Sequence, residues 1–312
     1  MDNWMRYMGI SYAKVLKELK EDFIVIGRGE KSATSFEDQV GDKVFTGGLN
    51  SFLISYPKMP KNVIVAVNIE ELFNTTVCLI RYGVKKILLE KPGGLDFKEI
   101  TELNKISINS QAKIFIAYNR RFYSSVYKAK ELIREDGGII SINFEFTELV
   151  KKIERQSKPI EVKEKLFLNN STHVIDLVFH FAGKPKKISS YHSRGLNWHP
   201  AASVFVGGGI TNKDILFSYS ANWESAGRWG VEVLTKNSRF KFQPLEELKV
   251  QKNGEFKFNK VKVDNVLDIQ FKPGLYKMVL LFLKGEIDNH CSLEEHTKLL
   301  KDYYKIANYK ID

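Results

Sequence analysis

A lysine and a histidine, far apart in the sequence, are the side chains best suited to move a proton. Lys91 follows an apolar run and precedes Pro92, and His173 lies three residues before Asp176 in an apolar segment. On a helix this spacing places imidazole and carboxylate on one face, where Asp176 could orient or tune His173. Because histidine titrates near neutral pH, it suits general acid–base chemistry. A structural interpretation stays open for both: His173 as a core histidine satisfied by Asp176, and Lys91 as a surface lysine.

The pattern around Lys91 predicts a strand end in a parallel sheet. Buried strands are predicted at residues 23–26, 63–67, 86–89 and 113–117, with helices over 11–22, through about 81 and over about 97–108. Strands that alternate with helices form right-handed crossovers and a doubly wound parallel sheet. Ligands bind such sheets at the carboxyl ends of the strands, and Lys91 lies at one of these ends.

After Tyr118 the pattern changes to long alternating segments. Strands are predicted at 139–146, 203–206, 215–221 and 231–242, with a helix near His173 and two more at the end. This pattern is typical of an open, mostly antiparallel sheet with helices on one face. We therefore predict an α/β protein of two domains, for which 312 residues suffice. Residues 1–117 would form a Rossmann-like doubly wound sheet whose first strand is incomplete, and residues 118–312 an α+β domain.

The glycine-rich turn that a dinucleotide-binding sheet needs is incomplete. Such a sheet opens with a strand and G-x-G-x-x-G, whose glycines let the backbone approach a pyrophosphate at a helix N-terminus. If Gly9 is the third glycine, the first two positions fall on Trp4 and Arg6, so either the start is truncated or rewritten or the turn is degenerate. The segment Gly27–Ser32 fits G-x-G-x-x-S, but it reads at least as well as a turn after the second strand.

On that second interpretation Arg28 stands at the end of the second strand. An acidic residue there binds the ribose 2′-hydroxyl of NAD, whereas an arginine suits a 2′-phosphate through charge-assisted hydrogen bonds. We therefore expect NADP(H) to be preferred and NAD(H) to be possible, with Ser32 assisting Arg28.

Three motifs in order resemble the Gfo/Idh/MocA family of oxidoreductases: Glu90-Lys91-Pro92-Gly93-Gly94, Tyr118-Asn119-Arg120-Arg121-Phe122 and Ser171-Thr172-His173-Val174-Ile175-Asp176-Leu177. The resemblance implies a Rossmann domain followed by an open-sheet domain, a dinucleotide cofactor, and hydride transfer at a sugar or cyclitol carbon. It implies that Lys91 contacts the cofactor and the reacting hydroxyl, often beside a cis Lys-Pro bond, and that His173 exchanges the hydroxyl proton. We expect the cofactor to contact Gly9, Arg28, Ser32, Val67, Asn68, Glu90, Lys91, Pro92 and Asn119.

One position departs from the family pattern. The residue four before the histidine is commonly an aspartate in these dehydrogenases, and here it is Asn169. An amide can form hydrogen bonds but cannot accept a proton at pH 7. Either Lys91 and His173 carry the acid–base chemistry, or the activity is altered.

Aromatic and basic residues near predicted strand ends are candidates for binding a sugar-like substrate. Trp198 and His199 adjoin one such end, and Arg228 could hold a carboxylate or phosphate. Arg121 either faces the same crevice or forms an ion pair at a domain interface. Equally, Trp223 and Trp229 could pack in the core between sheet and helices.

Composition and charge argue against nucleic-acid, membrane and metal binding. The net charge of +11 comes mostly from lysines spread along the chain, so nucleic-acid binding is not expected. The apolar runs are far shorter than the ~20 residues of a membrane helix, and no signal-peptide pattern opens the chain, so we expect a cytoplasmic protein without a membrane partner. Cys78 and Cys291 are too few for a disulfide framework or a metal site, and no metal is expected.

Two hypotheses follow. The first is an NAD(P)-dependent oxidoreductase that transfers a hydride at a secondary alcohol of a sugar, sugar acid or nucleotide-linked sugar. The second is a sugar-ligand sensor or regulatory subunit without turnover, suggested by the incomplete glycine-rich turn and by Asn169. In either case we expect a homodimer or higher homo-oligomer formed through the face of the large sheet.

Overall fold

The computed structural model describes residues 3–55 and 60–311, with side chains from Tyr7 onward. The chain forms two compact units. Unit 1 is the chain up to Ala117 together with Gln270–Thr297, and unit 2 is Tyr118–Ile269 together with the chain from Lys298. The sequence had placed residues 270–297 in the second domain, and this placement is wrong.

The helices are α1 (Asn3–Glu18), α2 (Glu30–Val40), α3 (Gly48–Ser55), α4 (Ile69–Arg81), α5 (Phe97–Ser110), α6 (Ser124–Glu135), α7 (Val150–Glu154), α8 (Ile160–Glu164), α9 (Thr172–Ala182), α10 (Val266–Gln270), α11 (Leu275–Lys284) and α12 (Leu293–Ala307). A 3₁₀ turn, Asn119–Phe122, precedes α6, and a π-helical turn, Phe167–Ser171, precedes α9. None of the described helices is long and apolar enough to cross a membrane.

The strands are β1 (Val25–Ile26), β2 (Val44–Phe45), β3 (Val63–Val65), β4 (Lys86–Leu89), β5 (Lys113–Ile116), β6 (Ser141–Glu145), β7 (Pro185–Ser193), β8 (Val204–Thr211), β9 (Leu216–Asn222), β10 (Gly230–Leu234), β11 (Ser238–Phe242), β12 (Lys249–Lys252), β13 (Asn259–Lys260) and β14 (Cys291–Ser292). They form the α/β arrangement predicted from the sequence, a parallel sheet in unit 1 and a large, mostly antiparallel sheet in unit 2.

The sheet of unit 1 is parallel over β3, β4 and β5, in the order of the chain. Ile87, Leu88 and Leu89 of β4 are fully buried, as expected for a central strand covered on both faces. Cys291 and Ser292 add β14 antiparallel to β5, and this pairing explains why residues near 291 belong to unit 1.

The start of unit 1 differs from the prediction. The helix predicted to begin at Ser11 begins by Asn3, because Met8, Tyr12 and Val15 continue one buried face toward the N-terminus. Gly9 therefore lies inside α1 and not in a turn ahead of it. β1 pairs only with β2, in a separate two-stranded sheet, and no described strand joins β1 to β3.

The sheet of unit 2 has the strand order β13-β12-β11-β10-β6-β9-β8-β7. β6 and β9 are parallel, and the other neighbouring strands are antiparallel. The predicted strand 231–242 is a hairpin of two strands, β10 and β11, because residues 235–237 turn the chain between them. α9 packs against β6 on one face of this sheet and is buried along most of its length.

Candidate functional site

The candidate site of unit 2 is centred on His173 in the first turn of α9. Its side chain is buried, with only 5% exposed. The imidazole meets the Tyr118 ring edge to face at 5.7 Å between centroids and lies 6.1 Å from the ring of Trp229. The histidine is therefore held between an aromatic residue at the start of unit 2 and one just ahead of β10.

A buried ion pair fixes the helix below His173. Arg121 donates from Nε to Asp176 Oδ2 at 2.8 Å and from Nη2 to Oδ1 at 2.6 Å. Both side chains are almost completely buried, at 2% and 0% exposure. This two-point geometry joins the 3₁₀ turn to α9. The guanidinium of Arg121, which the sequence assigned to substrate, is thus bound to Asp176 inside unit 2.

A glutamate that sequence analysis missed lies beside the histidine segment. Glu148 follows β6, is buried, and accepts hydrogen bonds from Ser171 Oγ at 2.7 Å and Asn170 Nδ2 at 2.9 Å. Burial raises the pKa of Glu148, while these two hydrogen bonds and the charge of Arg228 oppose that shift. The available signal was its position directly after a predicted strand, where functional side chains gather.

The two donors to Glu148 lie in the π-helical turn that leads into α9. Turns of this kind occur frequently at functional sites because they redirect side chains at a helix end. In the same turn Asn169 is buried and donates from Nδ2 to the carbonyl of Val162 at 2.7 Å. The side-chain amide of Asn169 thus holds the turn to α8. This role is structural and does not require Asn169 to accept a proton.

Two arginines surround Trp229 next to His173. The guanidinium carbon of Arg120 lies 4.8 Å from the centre of the Trp229 ring, and that of Arg228 lies 5.3 Å away. Arg228 is exposed, and Arg120 is half-buried and donates from Nη1 to Asn119 Oδ1 at 3.1 Å. Arg228 was predicted as a substrate ligand, whereas Arg120 was not.

Trp198 and His199 lie in a different part of unit 2. His199 is fully buried, and its ring nitrogens lie 2.8 Å from the carbonyl of Ala202 and 2.7 Å from the hydroxyl of Tyr309. Burial lowers the pKa of His199 to about 4. Trp198 donates from Nε1 to Glu154 at 2.8 Å. The ring of His199 is enclosed and both nitrogens have partners, so the geometry does not support the prediction that His199 binds substrate.

Unit 1 places Glu90 and Lys91 at the carboxyl end of β4. Glu90 is buried and accepts a hydrogen bond from the hydroxyl of Tyr12 at 2.6 Å. Burial and the carboxylate of Glu90 raise the pKa of Tyr12. The Lys91–Pro92 peptide bond is cis. Gly93 follows with a φ of +91°, and a side chain there would meet Ile116 at 2.8 Å, so only glycine fits this turn.

The segment after β1 holds the predicted phosphate ligand. Arg28 donates from Nη1 to Glu71 Oε1 at 3.1 Å and from Nη2 to Oε2, with 70% of its side chain exposed. The carbonyls of Gly27 and Arg28 accept hydrogen bonds from the amides of Gly48 and Gly47. Ser32 donates to the carbonyl of Gly29 at 2.8 Å in the first turn of α2. This segment is a closed turn in which Arg28 already has a carboxylate partner.

A dinucleotide fits these residues only in part. Val67, Asn68, Glu90 and Lys91 follow the parallel strands β3 and β4, where the nicotinamide half of a cofactor would lie. Asn68 is exposed and donates to Glu70 at 3.2 Å. Gly9, however, lies within α1 and not in the glycine-rich turn that the sequence predicted for a pyrophosphate.

Metal chemistry has no site in the described part of the chain. No group of three or more histidine, cysteine or carboxylate side chains within it is arranged to hold an ion.

Comparisons with known proteins show the fold. No family profile matches the chain, and no curated protein sequence matches it. Among solved structures it is similar to a UDP-N-acetylglucosamine 3-dehydrogenase from Acidithiobacillus ferrooxidans, with a TM-score of 0.73, 13% identity and coverage of 96% of this chain and 93% of that one.

Two further structures are similar over comparable lengths. One is an oxidoreductase from Agrobacterium radiobacter in complex with NAD+, L-tartaric acid and magnesium, with a TM-score of 0.74, 11% identity and coverage of 97% and 94%. The other is a dehydrogenase from Clostridium difficile, with a TM-score of 0.75, 17% identity and coverage of 96% and 94%. The chain therefore has the two-unit fold that these dehydrogenases share.

Proposed function

We propose that this chain is a nicotinamide-dependent oxidoreductase of the Gfo/Idh/MocA family that acts on a secondary alcohol of a sugar-like substrate. The observation that carries the proposal is the environment of His173 in unit 2. The imidazole is buried between Tyr118 and Trp229, and the exposed Arg228 lies against the same tryptophan. Aromatic rings with a few polar groups beside them suit a sugar ring and its hydroxyls.

The chemistry assigned to the chain's own residues is proton transfer and orientation. In oxidation, His173 accepts the proton of the substrate hydroxyl at an imidazole nitrogen. Lys91, at the carboxyl end of β4 in unit 1, is the residue assigned to the cofactor. A nicotinamide ring, when bound, would supply the acceptor for the hydride that leaves the carbon. Asp176 holds α9 in place through Arg121, and Asn169 fixes the turn ahead of the histidine.

The proposal is tested by cofactor binding and by turnover. Purified protein is titrated with NADPH and NADH, and nicotinamide fluorescence and thermal stability are followed. We expect nucleotide binding and, with a substrate from an alcohol panel, a 10²- to 10⁴-fold loss of kcat/KM in His173→Asn. His192→Asn, on β7, is the matched control and should keep activity. Nucleotide binding without any role for His173 would refute the assignment.

A second candidate function is favoured by the start of unit 1. Gly9 lies inside α1 and not in a glycine-rich turn, and Glu71 pairs with Arg28, the predicted 2′-phosphate ligand. A protein of this fold that binds a sugar-like ligand without turnover would have both features. This second function predicts that a sugar-like ligand raises the thermal stability of the protein, whereas neither NADPH nor NADH does.

We also propose that the chain forms a homodimer through the face of the large sheet. Tyr191, Val206 and Leu216 lie on β7, β8 and β9 and are 71%, 52% and 60% exposed. Tyr191 pairs directly with Val206 across the strands, so the exposed apolar side chains are neighbours. Light scattering after size exclusion should give twice the monomer mass of 35.9 kDa, and Val206→Glu should return the monomer.

A further inference from the structure

Several of the arginines in this structure have a carboxylate partner. Arg121 pairs with Asp176, Arg28 with Glu71, and Arg239 with Glu232. Arg120 and Arg228 are different. Across residues 3–55 and 60–311, neither forms an ion pair with a carboxylate, and both lie against the ring of Trp229.

The immediate surroundings of the two guanidinium groups leave hydrogen-bond donors available. Nε of Arg120 is buried and has no hydrogen-bond partner, and its Nη1 reaches only the neutral Asn119. A buried donor without a partner is destabilising, and a bound acceptor would recover that loss. Arg228 is exposed, so its donors are open to a ligand as well.

Acidic residues near the pair are held by other contacts. The charge of Arg228 reaches Glu148, but both oxygens of Glu148 accept hydrogen bonds from Ser171 and Asn170. Glu145 Oε1 accepts from the backbone amide of Arg228 at 3.1 Å. That contact holds the backbone just before Trp229 against Glu145. A side chain at Gly227 would meet the same Glu145 Oε1 at 2.3 Å.

We propose that Arg120 and Arg228 bind an oxyanion carried by the substrate on which His173 acts. A carboxylate or a phosphate has the charge and the paired acceptor oxygens that a guanidinium fork binds best. The substrate class is then a sugar acid or a sugar phosphate, including a nucleotide-linked sugar, and a neutral sugar lacks the main contact. The sugar part rests on the proposed function, whereas the anion site does not.

The experiment measures binding in the absence of any nucleotide. Isothermal titration calorimetry and thermal unfolding are run with inorganic phosphate, glucuronate, glucose 6-phosphate and glucose at constant ionic strength. We expect at least one anionic probe to bind about tenfold or more tightly than glucose. The rank of glucuronate against glucose 6-phosphate then distinguishes a carboxylate from a phosphate as the source of the charge.

Variants locate the binding. Arg120→Gln and Arg228→Gln should each weaken the anionic probe by about tenfold, and Arg120→Lys, which keeps the charge but loses the fork, should fall between. Arg239→Gln makes the same change of charge on β11, outside the cluster, and should bind as the wild type does. Circular dichroism checks that each variant is folded.

The inference would be overturned by the absence of binding of any anionic probe or by equal binding of anionic probes and glucose. It would also be overturned if the two variants and the Arg239→Gln control bound the probes equally. Failure to bind NADPH or to oxidise an alcohol would count against the proposed function alone, because no nucleotide is present in this assay. Phosphate binding that persists in Arg120→Gln and Arg228→Gln but is lost in Arg28→Gln would place the anion in unit 1 and also overturn it.

Discussion

Each unit contains an arginine held by a carboxylate through two hydrogen bonds, and the two pairs differ in what surrounds them. In unit 2, Arg121 and Asp176 are buried at 2% and 0% exposure. In unit 1, Arg28 and Glu71 are open to solvent at 70% and 33%. The same geometry therefore has two consequences. A buried pair holds secondary structure together and cannot easily open, whereas an exposed pair can exchange its partner for a ligand.

The contrast extends to the sites around the pairs. Unit 2 has a packed centre in which His173 contacts both Tyr118 and Trp229, and Glu148 binds the turn ahead of the histidine. Unit 1 has a strand end at which Tyr12 donates to the buried Glu90, and its Gly9 lies inside α1. His173 in unit 2 is thus packed between aromatic rings, whereas the strand end of unit 1 is held by a buried hydrogen bond.

The largest effect should come from breaking the buried pair. Asp176→Asn removes the carboxylate charge that the buried guanidinium of Arg121 faces. Removing one partner of such a pair costs about 3–5 kcal/mol. We expect the urea unfolding midpoint of unit 2 to fall accordingly. Tryptophan fluorescence reports mainly on this unit, since Trp198, Trp223 and Trp229 all lie in it.

A double variant provides the control for this prediction. Replacing both partners, as Arg121→Met with Asp176→Leu, leaves no unpaired charge and should destabilise the unit less than Asp176→Asn alone. A single variant as stable as the wild type would mean that the ion pair does not hold α9 to the 3₁₀ turn.

A middle-sized effect is expected from Glu148, through the pH dependence of stability. Burial raises the pKa of Glu148 above the ordinary value of 4.5, so the folded chain holds this proton more tightly than the unfolded chain does. The carboxyl therefore costs stability as the pH rises above the unfolded value toward the folded one, by about 1.4 kcal/mol for each unit of pKa. In Glu148→Gln this part of the decrease in unfolding free energy with rising pH should disappear.

The measurement is the unfolding free energy of wild type and Glu148→Gln from pH 4 to pH 8. Asp302, whose pKa burial raises to about 6, contributes to both curves, so the difference between them isolates Glu148. Glu71→Gln is a control of opposite sign, because the hydrogen bond from Arg28 lowers the pKa of Glu71 and its stabilisation is lost as the pH falls. Parallel curves for wild type and Glu148→Gln would show that Glu148 does not titrate differently on folding.

How far sequence could predict each unit depended on whether the pattern was local. The strands around Lys91 were predicted almost to the residue, because β4 and β5 are short apolar runs bounded by turns. The start of α1 was missed, since Gly9 suggested a turn although Met8 and Tyr12 continue the helical face. The glycine motif predicted a turn at Gly9, but the helical spacing of the apolar residues was the better guide.

The long-range contacts of unit 2 could not be read from the sequence. Nothing local joins Glu148 to Ser171 or places Arg120 against Trp229, because these contacts depend on how β6, β10 and α9 assemble. His199 shows the reverse error, since a histidine beside a tryptophan suggested a sugar site but packs in an aromatic core. Residue type alone does not separate an exposed ring from a buried one.

The smallest effect on stability, and the sharpest test of the comparison, is expected from the exposed pair. Glu71→Gln should change the unfolding free energy of unit 1 by less than about 1 kcal/mol, because both side chains are solvated. The same change frees Arg28 for a 2′-phosphate, so NADPH should bind up to about fivefold more tightly while NADH is unaffected. Arg28→Gln is the partner variant and should weaken NADPH alone. If both variants bind NADPH as the wild type does, Arg28 does not lie at the 2′-phosphate, and its pair with Glu71 is only a surface contact.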